Sequence, residues 1–479
     1  MRLTLSELPG VLLWALPLVP LVAAATAAAM PRNDRLALRA LGVGALVLAL
    51  VVGLAVVAVG WGDLVRGALV PGAPVREALV APPLWPVLTA MPALRLDPIM
   101  VTPLVTVLLV APLALRAGAP RVREGMAPYV VTCLVQSAAI TGTLLVSDLV
   151  DTFAAALVAA LPGFALVALF GGPERGTVTW RAAALWLVVD GLAIAALVGP
   201  RHLAPVPGEL LGLAVLGPGL VRLAAGPWGL WALPYNEMAP VAGAVTSSAM
   251  SFPLGAVLLW RGAVEVGPAS VASLAPVLSA LFAGSVLIGG VLVTMERDLR
   301  RVAAHWVGLL GSVVALGVLA SAEGGARDAI GLACVGGLAI ALLLMVVEAI
   351  ERRLETRRVV QLAGLWHAAP LLAGLLPIAL MAVAGVPGPG SSLALWRTLA
   401  VILGAEQAIA WGGAAAVVGI LMGWMGCAIV VARVVLPQQR KHGQFIRVSF
   451  VQAVRLAVPL LALIALSAAL GPLGQWGAP

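Results

Sequence analysis

The segment Ala224–Arg261, AAGPWGLWALPYNEMAPVAGAVTSSAMSFPLGAVLLWR, decides how the chain is read. Glu237 and Arg261 are its only charges, yet Pro227, Pro234, Pro240 and Pro253 punctuate it. A proline inside a helix removes a backbone donor and clashes with the carbonyl four residues earlier. A stretch this apolar cannot serve as a water-facing loop. One setting accommodates it: a helix interrupted at membrane depth, where packed protein satisfies the freed backbone groups.

Composition points the same way. Of 479 residues, 62% are hydrophobic and 10% charged, whereas a soluble domain carries roughly 25% charged residues. Lipid must therefore be the main solvent. The 53 glycines and 35 prolines are better tolerated in membrane helices than in soluble ones. The net charge of +8 sits in loops, a topology signal that excludes nucleic acid as the partner. Cys133, Cys334 and Cys427 lie far apart in apolar runs, without disulfide or metal spacing. No phosphate loop, Ser/His/Asp set or metal-ligand cluster occurs. The sequence thus offers no catalytic, cofactor-binding or metal-ligating residue and no redox-centre ligand set. A lipid-modifying enzyme would need a convergent acid–base pair, which is lacking.

About 20 apolar residues span a bilayer as a helix. That rule predicts an all-α polytopic fold of about 14 spans, near 10–30, 38–60, 97–117, 126–146, 149–171, 181–199, 208–226, 238–260, 268–294, 302–320, 328–350, 367–402, 408–435 and 449–470. The first could pass for a signal peptide, but it reaches spanning length and a second span follows at once. The seventh is broken at Gly226-Pro227 and Pro234, the twelfth at GVPGPGSS (385–392). Paired broken helices mark ion or substrate paths in transporters built from inverted repeats. Three regions follow: residues 1–96 with two helices and an outer loop, a core over 97–435, and a basic loop with a final helix over 436–479.

Arginines divide the loops into two alternating sets. One holds Arg32, Arg35, Arg39, Arg116, Arg121, Arg123, Arg175, Arg181, Arg297, Arg300, Arg301, Arg352, Arg353, Arg357, Arg358, Arg433, Arg440 and Arg447. The other holds only scattered residues such as Arg66, Arg76, Arg95, Arg201 and Arg327. The positive-inside bias makes the first set cytoplasmic and places both termini outside a bacterial-type inner membrane.

Five stretches stand in order along the chain: LRLDPIMVTPLV (94–105), SDLVDTFAAALVAALPGFALVALFGG (147–172), MERDLRRVAAHWVGLLG (295–311), ERRLETRRVVQLAGLW (351–366) and AGVPGPGSS (384–392). Together they resemble the antiporter-like membrane subunits of respiratory complex I and of Mrp-type cation/proton antiporters, the M-type subunit most nearly. The resemblance implies antiporter-like inverted repeats, partner membrane subunits, no redox cofactor of the chain's own, a role in proton or cation translocation, and at most the place of a non-catalytic membrane subunit in an NADH:quinone oxidoreductase-like or hydrogenase-like complex.

The resemblance also exposes a loss. The family moves protons through buried lysine, histidine and glutamate, and desolvated lysine suits this because its pKa falls towards neutrality. This chain has a single lysine, Lys441, in a loop. By alignment with the family, Leu157 stands at the fifth-helix glutamate, Arg222 at the seventh-helix lysine, Pro253 at the eighth-helix lysine, Gly336 at the eleventh-helix histidine and Leu395 at the twelfth-helix carboxylate. Arginine does not deprotonate in proteins, so Arg222 is a fixed charge.

The remaining ionisable candidates are Arg222 and Glu237 flanking the break, Asp190, Glu406, His305 and His367. Arg222 and Glu237 are read either as an ion pair pinning the broken helix or as part of an ion path. Tyr235, Asn236, Thr246, Ser247 and Ser248 are expected to satisfy backbone groups freed by the prolines. Glu348 is expected to pair with the arginine-rich loop that follows it. Trp228 and Trp231 are expected near span ends, as in an aromatic belt. Two functions remain open. One is a scaffold or rewired conductor in a complex I-like or Mrp-like assembly. The other is a subunit of an anion or inorganic-carbon transporter that works with a partner and uses Arg222.

Overall fold

The computed structural model describes residues 8–31, 34–69, 79–80, 94–199, 208–320, 326–387, 391–435 and parts of 457–465. The first six spans are α1 (Leu8–Ala29), α2 (Arg35–Leu69), α3 (Val101–Gly118), α4 (Met126–Leu145), α5 (Leu149–Phe170) and α6 (Arg175–Val198). Their ends follow local chemistry. The Asp148 carboxylate caps α5 by accepting from the N–H groups of Val150 and Asp151, satisfying two of the donors that a helix start leaves open. Gly125, at φ +73°, makes the left-handed turn into α4.

The seventh span is α7 (Gly208–Leu223) followed by a 3-10 turn at Gly226–Gly229 and α8 (Ala232–Met238), with a 42° bend between the halves. After Pro240 come α9 (Val241–Val245), a π-helical turn at Thr246–Met250 and α10 (Ser251–Val266), together forming the eighth span. Then follow α11 (Pro268–Met295), α12 (Leu299–Ala320) and α13 (Ala326–Leu354). A short α14 (Leu365–Ala368) leads to α15 (Pro370–Ala384) and α16 (Ser392–Leu403), the two halves of the twelfth span, and α17 (Gln407–Val435) is the thirteenth. The fourteenth expected span, 449–470, and Lys441 fall largely outside the described residues. Among the described residues the only sheet is a two-residue ladder pairing Leu79 with Leu96 and Val80 with Arg95.

The architecture is thus an all-helical membrane protein with both expected breaks. Among the described residues eleven helices are long and apolar enough to span, or twelve when the bent pair is taken as one, and two shorter apolar helices make up the broken twelfth span. The eighth and eleventh spans each contain an 18-residue stretch that is wholly buried, and the tenth one that is nearly so, whereas the second and sixth bury little of theirs. The former make the core and the latter the outer wall of the fold.

Glycines set how closely this core packs. A Cβ on Gly290 would stand 2.1 Å from the Gly419 carbonyl oxygen, and one on Gly426 would stand 2.6 Å from a Val293 methyl. Small residues at such faces let membrane helices approach backbone to backbone, here α11 against α17.

Candidate functional site

The break in the seventh span is built from three local facts. Ala224 and Gly226 both adopt positive φ, 52° and 54°. For alanine this left-handed conformation carries strain of order 1 kcal/mol or more. Pro227 has no N–H to offer the Leu223 carbonyl four residues back. Side chains supply the missing partners: Trp231 Nε1 donates to the Val221 carbonyl at 2.8 Å, and the Gly226 N–H donates to Ser312 Oγ at 3.1 Å. Trp231→Phe should therefore cost about 1 kcal/mol, read as a lower unfolding temperature of the detergent-extracted protein. Trp231 is only 4% exposed, which corrects its expected place in an aromatic belt: its N–H serves the break.

At the end of α7, Arg222 meets Asp190 of α6. Nη1 donates to Oδ1 and Nη2 to Oδ2, both at 2.7 Å. Nη1 also donates to the Pro218 carbonyl at 3.0 Å, and Nη2 to the Ala156 carbonyl at 2.9 Å. Both side chains are essentially inaccessible, at 1% and 0%. The guanidinium carbon lies 4.9 Å from the centre of the Trp186 ring. Trp186 stacks edge-on with Phe164 and Trp231, and Trp231 with Tyr235. A bidentate, charge-assisted pair in an aromatic box is among the strongest side-chain contacts.

Glu237 does not pair with Arg222, which corrects that expected ion pair. It lies at the far end of α8, 29% exposed, within 3.5 Å of Arg357 and 3.9 Å of Arg301. Two of the stretches that carried the family resemblance come together there. Arg357 Nε lies 2.6 Å from Asp298 Oδ2. The Leu299 N–H donates to the Arg357 carbonyl, and the Val359 N–H to the Arg297 carbonyl. Arg300 donates to the Ala239 carbonyl at 2.6 Å and contacts Glu348 and Glu351, both at 3.1 Å, while Arg121 reaches Glu348 at 2.6 Å. Glu348 is therefore held by Arg121 and Arg300, not by the loop that follows it. A cavity of 540 Å³ opens beside this network, against Arg121, Arg300, Arg357 and Glu237.

His305, 12% exposed, places Nε2 3.5 Å from Glu296 in the same network. His367 and Glu406 are exposed on the short segments flanking the broken twelfth span. Of the six candidates, only Asp190 and Arg222 touch one another. Asp298, Arg357, Arg300 and Arg121 were missed as a group, although Asp298 and Arg357 lie in motifs that the sequence displays.

The neutral polar residues satisfy one another and the backbone. Tyr235 donates to the Gly163 carbonyl at 2.9 Å, and Ser247 donates to the Tyr235 oxygen at 2.8 Å. Ser248 donates to Asn236 at 2.9 Å, and Asn236 to the Ala232 carbonyl at 2.8 Å. Leu395 is fully buried, and Pro253 and Gly336 lie in the buried core. Leu157 follows the Ala156 whose carbonyl binds Arg222. The described residues that are both charged and buried are Asp190, Arg222, Arg300 and Glu348. Among the described residues no group of His, Cys, Asp and Glu could hold a metal.

Comparison with known proteins places this geometry. Residues 206–423 match the family described as NADH:quinone oxidoreductase/Mrp antiporter, TM. The chain is 23% identical over 333 residues to NADH-quinone oxidoreductase subunit M of Rhodobacter capsulatus, covering 64% of each chain. The chain thus spans just under two thirds of the length of that relative. Its fold matches a chain of respiratory complex I from Thermus thermophilus, with TM-score 0.77 and 20% identity over 98% of this chain and 100% of that one. It also matches a chain of the Mrp complex from a Dietzia species, with TM-score 0.81 and 18% identity over 98% and 96%.

Proposed function

On the premise that the chain is an antiporter-like membrane subunit of the NADH:quinone oxidoreductase/Mrp antiporter family, we propose that it scaffolds and couples a multi-subunit, proton- or cation-translocating assembly. In this reading the family's own proton path through it is lost. The observation that carries this is the Arg222–Asp190 pair. A relay needs a buried group whose proton comes and goes. Arginine stays charged, and neutralising either partner would strand the other charge in an apolar interior. Leucine, proline, glycine and leucine at positions 157, 253, 336 and 395 offer no proton site to replace it. The other buried charges, Arg300 and Glu348, belong to the arginine-rich end. The arginine bias of the loops supports an orientation in a bacterial-type inner membrane with this end cytoplasmic and both termini outside.

The anion-carrier reading would need Arg222 free to meet a substrate. Both of its terminal nitrogens are already engaged by a carboxylate and by carbonyls, which removes its support.

The test separates assembly from transport. Deleting the chain should prevent the assembly from forming. An assembly carrying Arg222→Leu with Asp190→Leu should form and should acidify proteoliposomes as the unaltered assembly does. Complete loss of translocation in a fully assembled double variant would refute the proposal.

A further inference from the structure

The short helix α8 stops abruptly. Ala239 is extended, at φ −66° and ψ 141°, and Pro240 has no N–H with which to continue the ladder. The last carbonyls of a helix need partners from elsewhere, and here three separate parts of the chain supply them. Arg357 Nη1 donates to the Glu237 carbonyl at 3.1 Å, the Gly172 N–H to the Met238 carbonyl at 2.9 Å, and Arg300 Nη1 to the Ala239 carbonyl at 2.6 Å. Two guanidinium groups at a helix C-terminus also complement its dipole.

One carboxylate aims both arginines. Asp298 Oδ2 accepts from Arg357 Nε at 2.6 Å, and Oδ1 accepts from the Arg300 N–H at 2.8 Å. Backbone bonds between Leu299 and Arg357 and between Val359 and Arg297 hold the two loops side by side. Asp298 and Arg357 come from two of the stretches that carry the family resemblance, so those stretches converge on the end of the broken span.

The two ends of α8 are held differently. Trp231, Ala232, Tyr235 and Asn236 are buried, and Trp231 and Tyr235 stack in the aromatic box. Glu237 and Met238 are half-buried and line the 540 Å³ cavity together with Phe170, Gly172 and Pro240. The Glu237 carboxylate stands 3.5 Å from Arg357 and 3.9 Å from Arg301, longer than a close charge-assisted bond. The far end of α8 therefore rests on its three carbonyl contacts, beside a space that it can enter.

We propose that this end of α8 is a latch. Asp298, acting through Arg357 and Arg300, holds residues 237–239 in the position seen. Loss of the Asp298–Arg357 pair lets that end swing into the cavity about the Ala239–Pro240 turn, while Trp231 and Tyr235 stay anchored. The latch gives the interrupted span two positions, set from the arginine-rich end, and it requires no proton to cross the chain.

Hydrogen–deuterium exchange of the native assembly reads the latch. Arg357→Gln should speed exchange in peptides spanning 236–245 about tenfold and leave peptides spanning 182–193, around Asp190, unchanged. A covalent substitute provides the rescue. A Cβ on Gly172 would lie 3.9 Å from the Met238 Cα, within reach of a disulfide. Gly172→Cys with Met238→Cys, added to Arg357→Gln, should restore slow exchange when oxidised and lose it again when reduced.

The unaltered assembly gives a second reading that does not depend on any variant folding. Raising the ionic strength from about 0.1 M to about 1 M shortens the screening length from ~10 Å to ~3 Å. Arg357 and Asp298 are 22% and 16% exposed, whereas Arg222 and Asp190 are 1% and 0%. Salt should therefore speed exchange over 236–245 about threefold and spare 182–193. Exchange over 236–245 that ignores salt would overturn the proposal. So would an assembled Arg357→Gln variant that exchanges as its parent does, a rise of the same size around Asp190, or fast exchange that the oxidised disulfide does not slow.

Discussion

Asp190→Ala should collapse the yield of folded protein, destabilising it by about 3–5 kcal/mol. The alanine removes the carboxylate that accepts from both terminal nitrogens of Arg222, and the guanidinium, 1% exposed, has no water to turn to. Its remaining partners, the Pro218 and Ala156 carbonyls, satisfy hydrogen bonds without neutralising charge. Arg222→Leu should cost a similar amount, because it leaves Asp190 alone. The double variant Asp190→Leu/Arg222→Leu should recover most of the loss, since apolar residues of similar volume often replace a buried pair without penalty. Thermal unfolding in detergent, together with the fraction of chain found in the native assembly, reads all three. Additive damage in the double variant would show that the two charges are not coupled. The contrast also separates structure from transport, because the double variant removes the charges while keeping the fold.

Gly311→Val should be the most damaging substitution of a residue without a side chain, at about 3 kcal/mol, the upper end of the range for overpacking. A Cβ at Gly311 would stand 1.7 Å from the Leu223 carbonyl oxygen and 2.7 Å from its carbon. That carbonyl has lost its helical donor to Pro227, so the broken end of α7 rests directly on the backbone of α12. Neither side can yield: one is a helix backbone, and the other is a break already strained at Ala224, φ 52°. The control is Gly374→Ala, where the added Cβ meets nothing within 4 Å and alanine gains roughly 0.5–1 kcal/mol in helix stability. Unfolding temperatures of the two variants should move in opposite directions. A Gly311→Val protein as stable as its parent would mean that α12 does not support the break.

Much of the architecture is legible in the chain because its signals are local. Hydropathy over twenty residues fixes a span, and the Gly226-Pro227 and Gly385–Ser392 breaks lie where the prolines and glycines place them. The scarcity of lysine is equally plain, as is the arginine at position 222. The neutral polar residues Tyr235, Asn236, Ser247 and Ser248 serve freed backbone and one another, as their neighbourhood of prolines implies.

What the sequence by itself determined, then, is a many-spanning helical protein, its two interrupted helices and a chain with a single lysine. Tertiary structure alone decided which charges meet. Arg222 lies 15 residues from Glu237 and 32 from Asp190, yet it pairs with the more distant residue, because the bend carries Glu237 to the arginine-rich end while α6 packs beside α7. Trp231 moves from an expected interface to a buried bond with the break for the same reason. Helices that are apolar on every face carry little periodic signal for their own rotation. The choice of partner is therefore fixed by close packing around glycines such as Gly290, Gly311 and Gly419, which no local pattern records.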